Sequence, residues 1–257
     1  LIKTDFQGDE IWNTLLGPGQ GTYVQQTSDG GYIVAGTTGS DAILIKTNSL
    51  GDTLWTKKYG GTEYDYAKSV QQTPDGGYIL TCTFQDGDFS FCLIKIDNLG
   101  VEVWNQKYEG PSNDYASYGD QTDDGGYFIF GETTSQWDHG NGGPDFWFIK
   151  TNSLGDTLWT RTIGSSNWER GYSAKQTADG GYILVGLKRN MFGDNDLYLV
   201  KLNSSGNTTS SYNIQIKPNR KLKKKVDLLG KESKPKKNIP FIEIYDDGTV
   251  EKKIIIE

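Results

Sequence analysis

The chain offers few groups able to do chemistry on their own: one histidine, His139, two cysteines, Cys82 and Cys92, and 33 aspartates and glutamates. A nucleophilic triad would need His139 beside a nucleophile and a carboxylate, and no local motif announces one. Hydrolysis of a glycosidic bond needs only two carboxyl groups, one to give a proton and one to take it. Carboxylates are so numerous here that no particular pair stands out. Cys82, Cys92 and His139 are scattered without the spacing of a zinc site. QDGD (85–88) and GDND (193–196) resemble pieces of calcium loops but lack the full ligand spacing and the closing Glu. Hairpin turns account for both. The reading is no catalytic residue, no metal and no cofactor.

The composition shows what must position any site. Of 257 residues, 35% are apolar, 12% aromatic and 23% charged, with 33 Gly against 7 Pro, the balance of a folded, turn-rich protein. No run approaches the roughly 20 apolar residues of a membrane-spanning helix, so no transmembrane segment is expected. The net charge of −7 is unevenly spread: residues to Ile216 carry −12, and Lys217 to Glu257 carry +5. An acidic body argues against nucleic acid, whose phosphates need a basic stripe. The cluster Arg220, Lys221, Lys223, Lys224 and Lys225 has no interleaved aromatics and reads as solvated charge. Leu1 stands where a Met and leader would, as expected of a processed chain or the back part of a longer one.

Internal repetition governs residues 1–210. DGGY recurs from Asp29, Asp75, Asp124 and Asp179, and strings of the type LIKTNSLGDTLW end at Trp12, Trp55, Trp104 and Trp159. A fifth string, LVKLNSSGNTTS, ends in Ser210 where the tryptophan would stand. In the unit of Asp29, turn chemistry separates four strand-like segments, Tyr32–Gly36, Ala42–Thr47, Thr53–Lys57 and Ala67–Thr73. AILI (42–45), FCLI (91–94), FWFI (146–149) and LYLV (197–200) are apolar at both parities, so both faces of their sheets must be covered. Blades wedged around an axis achieve this, and the predicted fold is an all-β propeller of four-stranded blades, with a β-solenoid as the competing repeat architecture. About four and a half repeats are present, which reads as part of a longer array; alternatively Leu1–Leu15 complete a blade with the last repeat and close a five-bladed ring.

One blade carries a paired substitution. Cys82 stands where other repeats have Gly36, Gly131 and Gly186, and Cys92 where they have Ile43, Trp147 and Tyr198. A bulky side chain covering a cross-strand glycine explains the exchange and sets 82 opposite 92. A disulfide and two buried thiols are both compatible with that placement.

Length variation marks the candidate binding face. Lys to Trp is constant, whereas the DGGY Asp to the next such Lys runs 17, 20, 26 and 22. Insertions in repeat proteins map to loops on one face. Asp65, Asp114 and Glu169 recur in register and read as turn stabilisers, and the recurring tryptophans read as core. What breaks the repeat is SQWDHGNGGPD with Trp137, Asp138, His139 and Asn141, then Trp168 and Arg170, and Arg189 in the last blade. Aromatic planes beside Asp, Asn and Arg suit a sugar or a peptide. The expectation is a non-catalytic binding or adhesion module for glycan or protein. The alternative is an extracellular polysaccharide-active enzyme whose loop carboxylates, Asp138 and Glu169 among them, carry acid and base roles.

The last segment, 211–257, has two apolar runs, Phe241–Tyr245 and Val250–Ile256, joined by Asp246-Asp247-Gly248. Its strings VDLLGK, KKN-P and YDDGTVEKKIIIE resemble the C-terminal sorting domain of bacterial type IX secretion substrates, with Lys231 where an Arg is expected. Asp227, Gly230, Tyr245, Asp247, Gly248, Lys252 and Lys253 carry that resemblance. The repeats are similar to the LIKT/W/DGGY propeller repeats of secreted proteins with such tails. Together the resemblances imply the type IX machinery as partner, removal of the tail, and a secreted or cell-surface location.

Overall fold

Each Thr-x-Asp-Gly-Gly turn is a tight hairpin, and that decides which strands pair. In the first, the Thr27 amide donates to the Gly31 carbonyl at 2.9 Å, Gly30 takes a φ of +81°, and the Asp29 carboxylate accepts from the Gly31 amide at 3.0 Å and from the Thr27 hydroxyl. The strands on either side must therefore lie side by side. The computed structural model describes residues 1–110, 112–134, 143–189, 193–214, 221–228, 230–246 and 250–253. Contacts divide the chain into Leu1–Ile214 and Gln215–Glu257.

The first unit opens with a two-strand hairpin, β1 (Ile2–Thr4) and β2 (Glu10–Asn13). Four antiparallel four-stranded sheets come after it. Blade 1 is β3 (Gln20–Gln26), β4 (Tyr32–Thr38), β5 (Asp41–Thr47) and β6 (Thr53–Tyr59). Blade 2 is β7 (Asp65–Gln72), β8 (Tyr78–Asp86), β9 (Asp88–Ile96) and β10 (Glu102–Tyr108). Blade 3 is β11 (Asp114–Gln121), β12 (Tyr127–Thr133), β13 (Asp145–Thr151) and β14 (Thr157–Ile163). Blade 4 is β15 (Glu169–Gln176), β16 (Tyr182–Arg189), β17 (Asn195–Leu202) and β18 (Thr208–Ile214).

The all-β propeller expectation holds, but the blade frame shifts by one strand. Ala67–Thr73 belongs to β7, which pairs with β8 across the next Asp-Gly-Gly turn and not with β6. The hairpin turn wins because its strands are covalently adjacent and its own hydrogen bonds hold them. Nor do β1 and β2 complete the last sheet by pairing: they pair with each other, and β15–β18 already supply four strands.

Two-sided burial appears as predicted for AILI, FCLI and FWFI but not for LYLV of blade 4, where Tyr198 and Val200 are buried against blade 3 while Leu197 on the other face is 40% exposed. Ile33, Ala35 and Leu44 of blade 1 pack against Tyr78, Leu80 and Ile94 of blade 2. Ile79, Phe91 and Leu93 of blade 2 pack against Ile129, Trp147 and Ile149 of blade 3. Phe128, Phe130 and Phe148 pack against Tyr182, Leu184 and Val200 of blade 4. First strands of successive blades touch, and their edge carbonyls are met across the gap: Thr22 donates to Ala67 O at 2.9 Å and Ser117 to Gly171 O at 2.7 Å. Thr22 and Ser117 sit at a β-bulge found in every first strand, which re-aims one extra side chain. Cys82 lies opposite Cys92 as Gly131 lies opposite Trp147; both thiols are free and buried.

Two devices recur along the array. The lysine ending the third strand reaches the turn aspartate: Lys46–Asp29 at 2.9 Å, Lys95–Asp75 at 2.8 Å, Lys150–Asp124 at 3.0 Å and Lys201–Asp179 at 2.9 Å. The Thr27 hydroxyl and the Lys46 ammonium hold Asp29 down at a pKa of about 2. The recurring tryptophan meets the DGGY tyrosine of the next blade edge-on, at 5.7 Å (Trp12–Tyr32), 6.1 Å (Trp55–Tyr78), 5.5 Å (Trp104–Tyr127) and 5.9 Å (Trp159–Tyr182). The rings are half-buried at the seams, against the edge of the core rather than within it as the core reading expected.

The second unit is a three-stranded sheet, β19 (Leu222–Val226), β20 (Phe241–Tyr245) and β21 (Val250–Lys253). Asp227 and Gly230 shape a turn, with the Lys231 amide donating to the Asp227 carboxylate at 2.9 Å and Gly230 at a φ of +83°. Lys225 and Lys253 each reach Glu243 at 2.9 Å and hold it down at about 2, while the buried Tyr245 hydroxyl donates to Glu243 at 3.0 Å. Lys252 lies in register with Ile242. Asp247 and Gly248 lie outside the described residues.

Lys150→Met removes the bonds from a buried ammonium to Asp124 and to the Thr151 carbonyl. Unfolding free energy should fall by about 1.5–3 kcal/mol, seen as a lower urea midpoint at unchanged slope. An unchanged midpoint would show that the lock adds nothing.

Candidate functional site

Strand order gathers the variable connections at one end of the blades: those joining second to third strands, and those leading into each first strand. The last three first strands open there with a carboxylate. Asp65 accepts from the Gly61 amide at 2.7 Å, Asp114 from the Gly110 amide at 2.6 Å, and Glu169 from the Ser165 hydroxyl at 2.6 Å, with Lys188 at 2.8 Å. All three are buried. These bonds are those of turn anchors, and they leave Glu169 committed to Ser165 and Lys188 rather than facing a substrate.

Of the residues singled out from the sequence, Trp137, Asp138, His139 and Asn141 lie outside the described residues. Trp168 and Arg170 stand together at the entry to β15. Trp168 is 46% exposed, with the Arg189 guanidinium 5.3 Å above its ring and Gly143, near the end of the long insertion, packed against its edge. The segment 85–88 is the β8–β9 turn, with Gly87 at a φ of +80°.

Arg170 leads to a group that sequence reading missed. Its Nε lies 3.5 Å from Glu132 on β12, whose side chain is only 12% exposed. Burial pushes the Glu132 carboxyl above its ordinary range, opposed by the nearby charges of Arg170 and Lys68. Lys68 is the bulged residue of β7, with its ammonium 5.3 Å over the Tyr66 ring; burial lowers its pKa and Glu132 raises it. Tyr66, Phe89 and Tyr115 form an aromatic row, with centroids 6.1 and 5.1 Å apart. Burial raises Tyr115, and the charges of Glu132 and Asp88 raise it further. Asp88, at the start of β9, is exposed. A buried carboxyl and an exposed one thus flank one tyrosine. The signal was present in the repeats: Glu132 occupies the place of Thr37, Thr83 and Leu187, and Lys68 that of Thr22, Ser117 and Tyr172.

No family model matches the chain, and no curated protein matches its sequence. Its structure is similar to that of an endo-arabinase from Bacteroides thetaiotaomicron, at a TM-score of 0.52 and 14% identity over 93% of this chain and 94% of that one. It is also similar to a periplasmic gluconolactonase of Pseudomonas aeruginosa, at a TM-score of 0.50 and 13% identity over 90% of this chain and 65% of that one. At such identities the likeness is one of fold, and it supports the propeller. Both of these structures are enzymes, which stands against the expectation of a chain without chemistry. The absence of a local motif does not exclude catalysis in this architecture, because a propeller draws single residues from several blades to one end.

The raised Glu132 makes a stability prediction. Well below the ordinary carboxyl value near 4.3 the group is protonated both folded and unfolded, and its burial costs nothing extra. As pH rises through the folded value the native state alone has paid to ionise it, so stability is lost. Glu132→Gln should therefore gain thermal midpoint relative to the natural chain between about pH 4 and neutrality. Parallel pH profiles would refute the assignment.

Proposed function

We propose that this chain is an extracellular polysaccharide-active enzyme, with its site at the variable end of the blades. The observation that carries the reading is Glu132, a carboxyl withdrawn from water and pushed above the usual carboxylate range beside Arg170 and Lys68. Such a group keeps its proton where an exposed carboxyl has lost it, as a general acid requires. Glu132 gives its proton to the glycosidic oxygen as that bond breaks. Asp88, exposed on the neighbouring blade, takes the proton of the incoming water. Arg170 and Lys68 orient the acid, and Tyr66, Phe89, Tyr115 and Trp168 offer planes for sugar rings. The arabinan-acting neighbour, similar over nearly the whole chain, supports the choice of a polysaccharide.

Turnover is measured as reducing ends released from a panel of soluble polysaccharides. Glu132→Gln should lower kcat about 10²–10⁴-fold, while Trp168→Ala should raise KM and leave the acid in place. Full activity of Glu132→Gln would end the assignment.

Export through the type IX machinery is proposed for the tail. Its support is the sequence VDLLGK and YDDGTVEKKIIIE, together with a small sheet in which Lys225, Lys253 and Tyr245 converge on Glu243. Deleting Val226–Glu257 should strand the protein in the periplasm; its normal appearance outside the cell would contradict this role.

A further inference from the structure

We infer that the face of blade 1 opposite blade 2 is a socket for a β-hairpin carrying the Thr-x-Asp-Gly-Gly-Tyr turn, which adds to the free edge of β1. The β1–β2 pair already occupies the outer half of a blade. Trp12 meets Tyr32 at 5.7 Å as Trp55 meets Tyr78 at 6.1 Å, and Lys3 pairs with Trp12 as Lys46 pairs with Trp55. Leu1 and Leu16 rest on Val34, Ile43 and Ile45, in the places that Leu44 and Tyr59 take against blade 2. Among the described residues nothing occupies the place of two inner strands beside this pair.

Three observations give the shape and chemistry of the missing part. First, an open cavity of about 610 Å³ lies where those strands would run, lined by Leu1, Leu15, Leu16, Val24, Val34 and Ile43 among others. Val24 is 49% exposed there, whereas its counterpart Val70, covered by blade 1, is 0% exposed. Second, β1 is paired on one side only among the described residues, so the edge of Ile2–Thr4 offers backbone groups to a further strand. Third, Lys3 is the fifth copy of the turn-locking lysine. Lys46, Lys95, Lys150 and Lys201 each hold an Asp of a DGG turn, and no such ion pair is made by Lys3 among the described residues. An ammonium awaiting a turn carboxylate, beside an apolar slot and a free strand edge, selects this hairpin over an unrelated peptide. The bound strand would gain main-chain hydrogen bonds from the edge and specificity from the slot and the lysine.

The probe is a synthetic peptide of sequence Gln20–Thr38, titrated onto the full chain and followed by tryptophan fluorescence. Binding should weaken about tenfold with Lys3→Met in the protein or Asp29→Asn in the peptide, since a hydrogen-bonded charge contributes about that much. The two changes together should cost little more than either alone. Because a short peptide folds poorly in isolation, the sequence Gln20–Ile43 is also joined directly before Leu1, which reproduces the spacing of a blade. This fusion should raise the thermal midpoint and protect the Ile2–Thr4 amides from hydrogen exchange. A fusion that changes neither overturns the inference, as does peptide binding indifferent to both substitutions. Dimerisation of the unfused chain with the same amides protected would also overturn it, by giving the socket to a second copy.

Discussion

A sheet whose strands are apolar at both parities is stable only when most of both its faces is covered. That constraint organises the first unit, because FCLI (91–94) and FWFI (146–149) place large side chains alternately on the two sides of one strand. Blades 2 and 3 stay dry by lying between two others, whereas blade 4 is covered by blade 3 on one face and leaves Leu197 of the other 40% exposed. The three inter-blade clusters satisfy this within the array. On its other face blade 1 is covered only in part, by Leu1 and Leu16, and Val24 stays half in water.

The repeated devices serve that constraint. Lysines at the ends of third strands are buried against turn aspartates, which tie the inner hairpin to the outer one within a blade. The tryptophans act between blades: ring atoms of Trp12, Trp104 and Trp159 lie so close to Gly51, Gly155 and Gly206 that a Cβ there would meet them at 2.6–3.0 Å. Glycine is needed at these turns both for its positive φ and for that approach. One residue type thus sets the local turn and the blade spacing together.

The same rigid scaffold frees the variable end. Turn anchors such as Asp65 and Glu169 fix where each first strand begins, so residues just beyond them are held in place without taking part in packing. Glu132, Lys68, Arg170 and Tyr115 come from blades 2, 3 and 4, and only the convergence of first strands makes them neighbours. Arg170 and Glu132 lie on adjacent blades, and their opposition is a product of blade stacking.

Local chemistry in the sequence determined a good deal: the strands, the Asp-Gly-Gly hairpins, two-sided burial, and even the opposition of Cys82 and Cys92, since strand parity and turn length fix register. Covalent neighbours and periodicity carry that information. Which strand opens a blade, and which charges meet across blades, were decided by tertiary structure alone. Ala67–Thr73 could be placed only once the hairpin was seen to pair β7 with β8. Glu132 became a candidate acid only once burial was seen to raise it against the opposing charges of Arg170 and Lys68, because the environment of a carboxyl is set by residues distant in the chain and near in space.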